Sequence, residues 1–179
     1  MEVYDAVTTV LAVREFREDP VSDEIVHKIV ESARLTASSM NRQPWQFIVV
    51  QNRETLKDLG KIVSSGTYNA QAAFAVVVAV ERSSPFGVSD ASRAIQSMIL
   101  TAWSEGVGSN WTGWVGMKEV ASRLGVPEDL DVIAVVPFGY PTHVRKKGIK
   151  SRKPLGEVAH TEQFGQTFSE NPNSGKDVK

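Results

Sequence analysis

The chain has 179 residues, 41% of them hydrophobic and none of them cysteine, with 20 Lys and Arg against 21 Asp and Glu for a formal net charge of -1. That length supplies one substantial core and is short for two, and the near-neutral balance gives no electrostatic ground for nucleic acid or an acidic membrane as partner. Without cysteine, disulfides, thiolate nucleophiles and Cys-based metal sites are excluded, so any redox chemistry must come from a bound cofactor.

The N-terminal sequence MEVYDAVTTVLAVREF sets Glu2, Asp5 and Arg14 in and around its apolar positions. It has neither a basic leader nor a clean hydrophobic segment for a signal peptide, and a cytoplasmic protein is expected. Apolar spacing predicts a helix over 4–13, running into the charged turn 14–19 and Pro20. Ser22 is the expected N-cap of a second helix, with Asp23 and Glu24 favoured in its first turn by the helix dipole and Ile25, Ile29, Val30 and Ala33 as its apolar stripe.

That helix delivers the segment 36–50, TASSMNRQPWQFIVV. Ser38, Ser39 and Asn41 are short polar residues able to hydrogen-bond backbone or ligand, and Pro44 forces Gln43 out of helical geometry before the strand run from Phe47 to Val50. On local chemistry this is either an ordinary helix-to-strand connection or a ligand-holding loop. Asn52 is positioned to cap a short helix through Thr55, Leu56 and Leu59, broken by Ser64, Ser65 and Gly66. The Val-rich run 72–80 reads as a buried strand, half the length needed to span a bilayer as a helix. Asn69 and Gln71 just before it read as ordinary polar residues.

After the turn 84–87, Ser89 or Asp90 is expected to cap a largely apolar helix carrying Ala94, Ile95, Met98, Ile99, Ala102 and Trp103. The run 106–116 packs four glycines and two tryptophans into eleven positions, either as simple core or as a pocket wall where backbone approaches a flat ligand. A helix over 118–124 stopped by Gly125 and a strand over 132–138 complete the expected elements. The basic block 145–153 is a solvated surface or an anion site, and the polar segment 169–179 is expected to be disordered. His27, His143 and His160 are too scattered to suggest a metal site.

Several of these segments carry a resemblance. SSMNRQPWQFIVV resembles the signature S-G-G-N-x-Q-P-W-x-F-x-V-V of the FMN-dependent nitroreductase family. DASRAIQSMIL at 90–100 resembles that family's helix D-x-x-x-A-x-Q-N-x-L-L, and VREF, GVGSNWTGW at 106–114, the Gly139-Tyr140-Pro141 turn and KSRKPLGEV at 150–158 fall in the family's order, so that the resemblance covers about 8 to 160. It implies an α+β (α/β three-layer) fold with a mixed sheet flanked by helices, a single domain over 1–168, and an intertwined homodimer with FMN at the interface. It also implies an oxidoreductase in which NADH or NADPH reduces the flavin, which then reduces a small flat acceptor such as a nitroaromatic or a quinone, in two half-reactions.

Carried over residue by residue, the resemblance assigns Arg14 to the pyrimidine edge of the flavin and Ser38, Ser39 and Asn41 to the cofactor loop. It places a backbone N–H near Trp111, Thr112 and Gly113 against the hydride-carrying ring nitrogen, and Lys150 and Arg152 at the FMN phosphate. No side chain is assigned as catalytic and no metal is expected. The family's usual R-x-S-x-R reads here as Val10, Ala12 and Arg14, so only its last position is kept and the phosphate is expected to depend more heavily on Lys150 and Arg152. Alternatives within reach of the same residues are a flavin- or deazaflavin-binding relative with another redox task, a module that holds flavin without turnover, and an interaction domain whose basic block meets an acidic partner.

Overall fold

The structure, a computed structural model, describes residues 1–143 and 150–168, which fall in two compact units, Met1–Lys146 and Lys147–Lys179. The expectations for 145–149 of the basic block and for the tail 169–179 lie outside the described residues.

In the first unit the helices are α1 (Val3–Thr9), α2 (Asp23–Arg34), α3 (Arg53–Ile62), α4 (Gly87–Ser104) and α5 (Met117–Leu124). The strands are β1 (Trp45–Val50), β2 (Phe74–Glu81), β3 (Gly108–Ser109) and β4 (Leu130–Gly139), with 3-10 segments at Ser39–Asn41 and Ser64–Gln71. They pair in the order β1-β2-β4-β3, every pair antiparallel. Among the described residues the parallel component of the expected mixed sheet is a bridge between Ala12 and Ser109.

The sheet is the middle of three layers, which explains why β2 reads FAVVVAVE without polar alternation: both of its faces are covered. Phe74, Val76, Val78 and Val80 pack with α2 and α4, while Ala75, Val77 and Ala79 pack with α3 and α5. A register shift between Val78 and Ala79 leaves Ile133 as an extra residue in β4, so Val132 faces the α3 side although Ala134 and Val136 face α4. Leu56 and Leu59 are fully buried, each worth about 1.5–3 kcal/mol of burial.

Local chemistry sets the helix ends. Ser22 accepts from the Ile25 N–H, Asn52 accepts from Glu54 and Thr55, and Gly125 ends α5 at φ +68, a left-handed conformation that glycine adopts without penalty. Two expectations are corrected. The helix predicted over 4–13 stops at Thr9, because the segment beyond it pairs with an edge of the sheet: the Val13 N–H donates to the Ser109 carbonyl. The helix expected from a Ser89 or Asp90 cap already begins at Gly87, with the Ser89 hydroxyl donating back to the Phe86 carbonyl.

The second unit contains α6 (Leu155–Val158) and an antiparallel bridge between His160 and Thr167. No helix among the described residues is long and apolar enough to cross a membrane, and no group of acidic or His side chains among them is arranged to hold a metal ion.

Candidate functional site

Beyond β3 the chain continues along the free edge of β4. Thr112 exchanges both backbone hydrogen bonds with Val135, at 3.0 and 2.7 Å, and its hydroxyl donates to the same carbonyl at 2.6 Å. The Thr112 side chain is therefore buried and committed to the sheet. Its neighbours alternate away, as extended backbone must, and the N–H groups of Trp111 and Gly113 donate to no described residue. Position 113 is closed to any side chain, since a Cβ there would meet the Ile133 carbonyl oxygen at 2.5 Å. Trp111 stands 40% exposed beside these amides.

Arg14 reaches the same edge through the segment that left α1. Val13 is tied to Ser109, Phe16 bridges Pro141, and the Arg17 N–H donates to the Tyr140 carbonyl at 2.8 Å. The Arg14 side chain is exposed and makes no hydrogen bond or ion pair among the described residues. Arg17, by contrast, pairs with Asp19 at 3.1 Å and lies over the Tyr140 ring. Asn69 is buried, donating to the Gly66 carbonyl and the Thr112 hydroxyl, so it ties the 3-10 stretch to the edge.

The loop before β1 is built differently. Met40, Asn41 and Gln43 have φ of 52, 54 and 51, a left-handed region that residues with a Cβ enter seldom. The Ser38 hydroxyl oxygen accepts from the Gln43 N–H at 2.9 Å, which leaves its own proton available to an outside acceptor. The Ser39 hydroxyl and N–H both point to the carboxylate of Asp90, each at 3.0 Å. Asn41 and Arg42 are exposed, and the Arg42 guanidinium makes no hydrogen bond or ion pair among the described residues. In the sequence Asp90 stands as a possible helix cap and as the first residue of the family-like helix segment, with no chemistry assigned; no local pattern points from it to Ser39.

Within one chain these two groups of residues are not together. Trp45 pairs with Val80, whereas Ser109 reaches Phe74 through Phe138, and Phe74 and Val80 lie about 20 Å apart along β2. The loop of Ser38, Ser39 and Asn41 thus sits at one end and edge of the sheet, with Ser109 and Arg14 at the opposite end and edge. Trp111, Thr112 and Gly113 lie on that second edge. A cleft of about 690 Å³ bordered by Arg17, Arg53 and Lys57 is lined by none of the expected site residues. In the second unit, burial pulls the Lys150 ammonium below its ordinary pKa and the charge of Arg152 adds to the pull. The exposed Arg152 guanidinium donates to the Ser151 carbonyl at 2.8 Å.

A sequence profile of the nitroreductase family matches residues 11–84 and 67–140, which takes in α2, both edges and all four strands. The chain belongs to the nitroreductase family. A protein of Archaeoglobus fulgidus described as an NADH dehydrogenase/NAD(P)H nitroreductase is 35% identical over 149 residues, covering 78% of this chain and 86% of that one. A protein of the same description from Methanothermobacter thermautotrophicus is 32% identical over 149 residues, covering 79% of this chain and 78% of its own. The crystal structure of a Bacteroides thetaiotaomicron protein, again described in those terms, superposes with a TM-score of 0.83 at 26% identity, over 90% of this chain and 98% of that one. The chain is accordingly an oxidoreductase of nitroreductase fold, as the ordered motifs implied.

Proposed function

We propose that this nitroreductase-family chain is an FMN-dependent oxidoreductase that uses NADH or NADPH to reduce flat, partly apolar small molecules such as nitroaromatics or quinones. The observation that carries the reading is the edge at Trp111 and Gly113: two outward N–H groups, held in place by Thr112, with an exposed cation on the neighbouring segment at Arg14. This donor set fits a flat heterocycle with acceptor atoms along its rim and negative charge to stabilise. Bound FMN would supply the two-electron chemistry that no side chain here performs.

The residues then have distinct tasks. The Trp111 and Gly113 amides orient the ring, Arg14 favours negative charge on its pyrimidine side, and the Trp111 indole offers a flat wall. Lys150 and Arg152 are assigned to the phosphate on their charge and on their place in the family's K-S-R segment. Ser38 and Asn41 are assigned to the cofactor from a second copy of the chain, because within one copy their loop lies at the β1 edge and the 111–113 stretch at the opposite edge, three strand spacings or about 14 Å across the sheet. A homodimer follows from that division, and exposed apolar residues of α1 such as Tyr4 and Val7 favour it. Across the full cycle NADH or NADPH is oxidised, and a quinone acceptor gains two electrons and two protons, one of the protons from solvent.

The test is the visible spectrum of the purified protein. It is expected to be yellow, to release FMN and not FAD on acid treatment, and to oxidise NADH or NADPH only when an acceptor is present. A colourless protein that takes up no FMN at micromolar concentration would remove the proposal, and FMN uptake without nicotinamide oxidation would leave a carrier in place of an enzyme.

A further inference from the structure

We infer that Asp90 is a positioning residue for the cofactor loop, acting through Ser39. This rests on the FMN reading above for its effect on affinity, but not for its effect on the loop itself.

Asp90 lies in the first turn of α4, where the helix dipole favours a carboxylate, and it is completely buried. A carboxylate only accepts hydrogen bonds, and this one receives three donors: the Ser39 N–H on Oδ2, the Ser39 hydroxyl on Oδ1, and the Arg93 guanidinium on Oδ1. Burial pushes the Asp90 carboxyl up, yet these partners outweigh it and hold it below the ordinary carboxylate value. Two of the three donors come from the residue directly before Met40 and Asn41, whose left-handed backbone is disfavoured for any side chain bearing a Cβ. The bonds within the loop are backbone donations from Asn41 to the Ser38 carbonyl, Arg42 to the Ser39 carbonyl and Gln43 to the Ser38 hydroxyl, and exposed, longer donations from the Gln43 side-chain amide to the Asn41 carbonyl and Oδ1 at 3.2 and 3.3 Å.

The proton count separates the two serines. A hydroxyl has one proton, and that of Ser39 is engaged by Asp90, so Ser39 cannot donate it to an anionic ligand. Ser38 accepts from Gln43 and keeps its proton for the ligand. Ser39 is thus the anchor and Ser38 the contact, with Asp90 fixing where Ser38, Asn41 and Arg42 point.

The experiment compares wild type, Asp90→Asn, Ser39→Ala and the double variant. Two quantities are read: amide hydrogen exchange at Asn41, Arg42 and Gln43 in unliganded protein by NMR, and the Kd for FMN by fluorescence titration. Asp90→Asn is expected to speed exchange at those three amides tenfold or more, with the amides of β2 remaining protected, and to raise the FMN Kd about tenfold. Ser39→Ala is expected to raise it about threefold. The double variant should match Asp90→Asn alone within about twofold, because both changes break the same link. Unchanged exchange at the three amides in Asp90→Asn overturns the inference. So does faster exchange with an unchanged Kd, and so does an additive double variant. Wild-type protein that binds no FMN defeats the FMN reading instead, and the exchange measurement still decides whether Asp90 holds the loop.

Discussion

Adding a single methyl group at Gly113 tests whether the β4 edge is the ring-binding element. The Cβ of Gly113→Ala would lie 2.5 Å from the Ile133 carbonyl oxygen and 2.8 Å from the Trp111 indole nitrogen. Since real Cβ contacts start near 3.0 Å, the edge must retreat from Ile133 by at least about 0.5 Å, against backbone and not against a flexible side chain. The Thr112 bonds to Val135 at 3.0, 2.7 and 2.6 Å stand next to that contact and would stretch. Forced overpacking of this kind costs about 1–3 kcal/mol. If it falls on the ligand-competent edge, the Kd for flavin rises about 5- to 150-fold. Because the lost contact is to the ring, FMN and riboflavin should weaken by the same factor in fluorescence titrations. Thermal melting of the unliganded variant reports how much of the cost is general destabilisation. An FMN Kd equal to that of wild type would refute the assignment of this edge to the flavin.

Arg152→Ala should act on the other end of the cofactor: FMN affinity falls about 10- to 150-fold, from the loss of a charge-assisted bond worth about 1.5–3 kcal/mol, while riboflavin is nearly unaffected. Equal losses for both flavins would detach Arg152 from the phosphate. Arg14→Ala should weaken oxidised FMN only modestly but lower the midpoint potential, read by a dye-coupled reductive titration; an unchanged potential removes Arg14 from the ring edge. Sedimentation at micromolar concentration should give twice the chain mass of 19.6 kDa, and a single species at that mass would contradict the shared site. The stability difference between wild type and Asp90→Asn should depend on pH with a definite sign. The folded carboxyl titrates below its unfolded value, so its contribution is present at higher pH and is lost as pH falls through the folded pKa. The gap between the two melting temperatures should therefore be full above about pH 5 and narrow progressively as pH falls below about 4 toward the folded pKa, and a gap that stays constant through that fall would show that the charge of Asp90 contributes nothing.

What the sequence determined by itself was local. Ser22, Asn52 and Gly125 were readable as helix ends because a cap bonds to amides within a few residues of itself. The run of β2 was readable as a buried strand because its apolar residues are contiguous, and the family could be seen because its motifs keep their order along the chain. Tertiary structure decided the rest. Position 12 left its predicted helix because Ser109, far along the chain, offered an edge to pair with, and no propensity at 10–13 encodes that offer. The register shift that leaves Ile133 extra, and turns Val132 to the other face, is set by pairing with β2 and not by the apolar pattern of β4. Asp90 and Ser39 are 51 residues apart, so their link exists only once α4 packs beside the start of β1. The separation of the 38–43 loop from Arg14 and the 111–113 edge follows from the order β1-β2-β4-β3, because strand pairing, which periodicity does not specify, is what places them on opposite edges of one sheet.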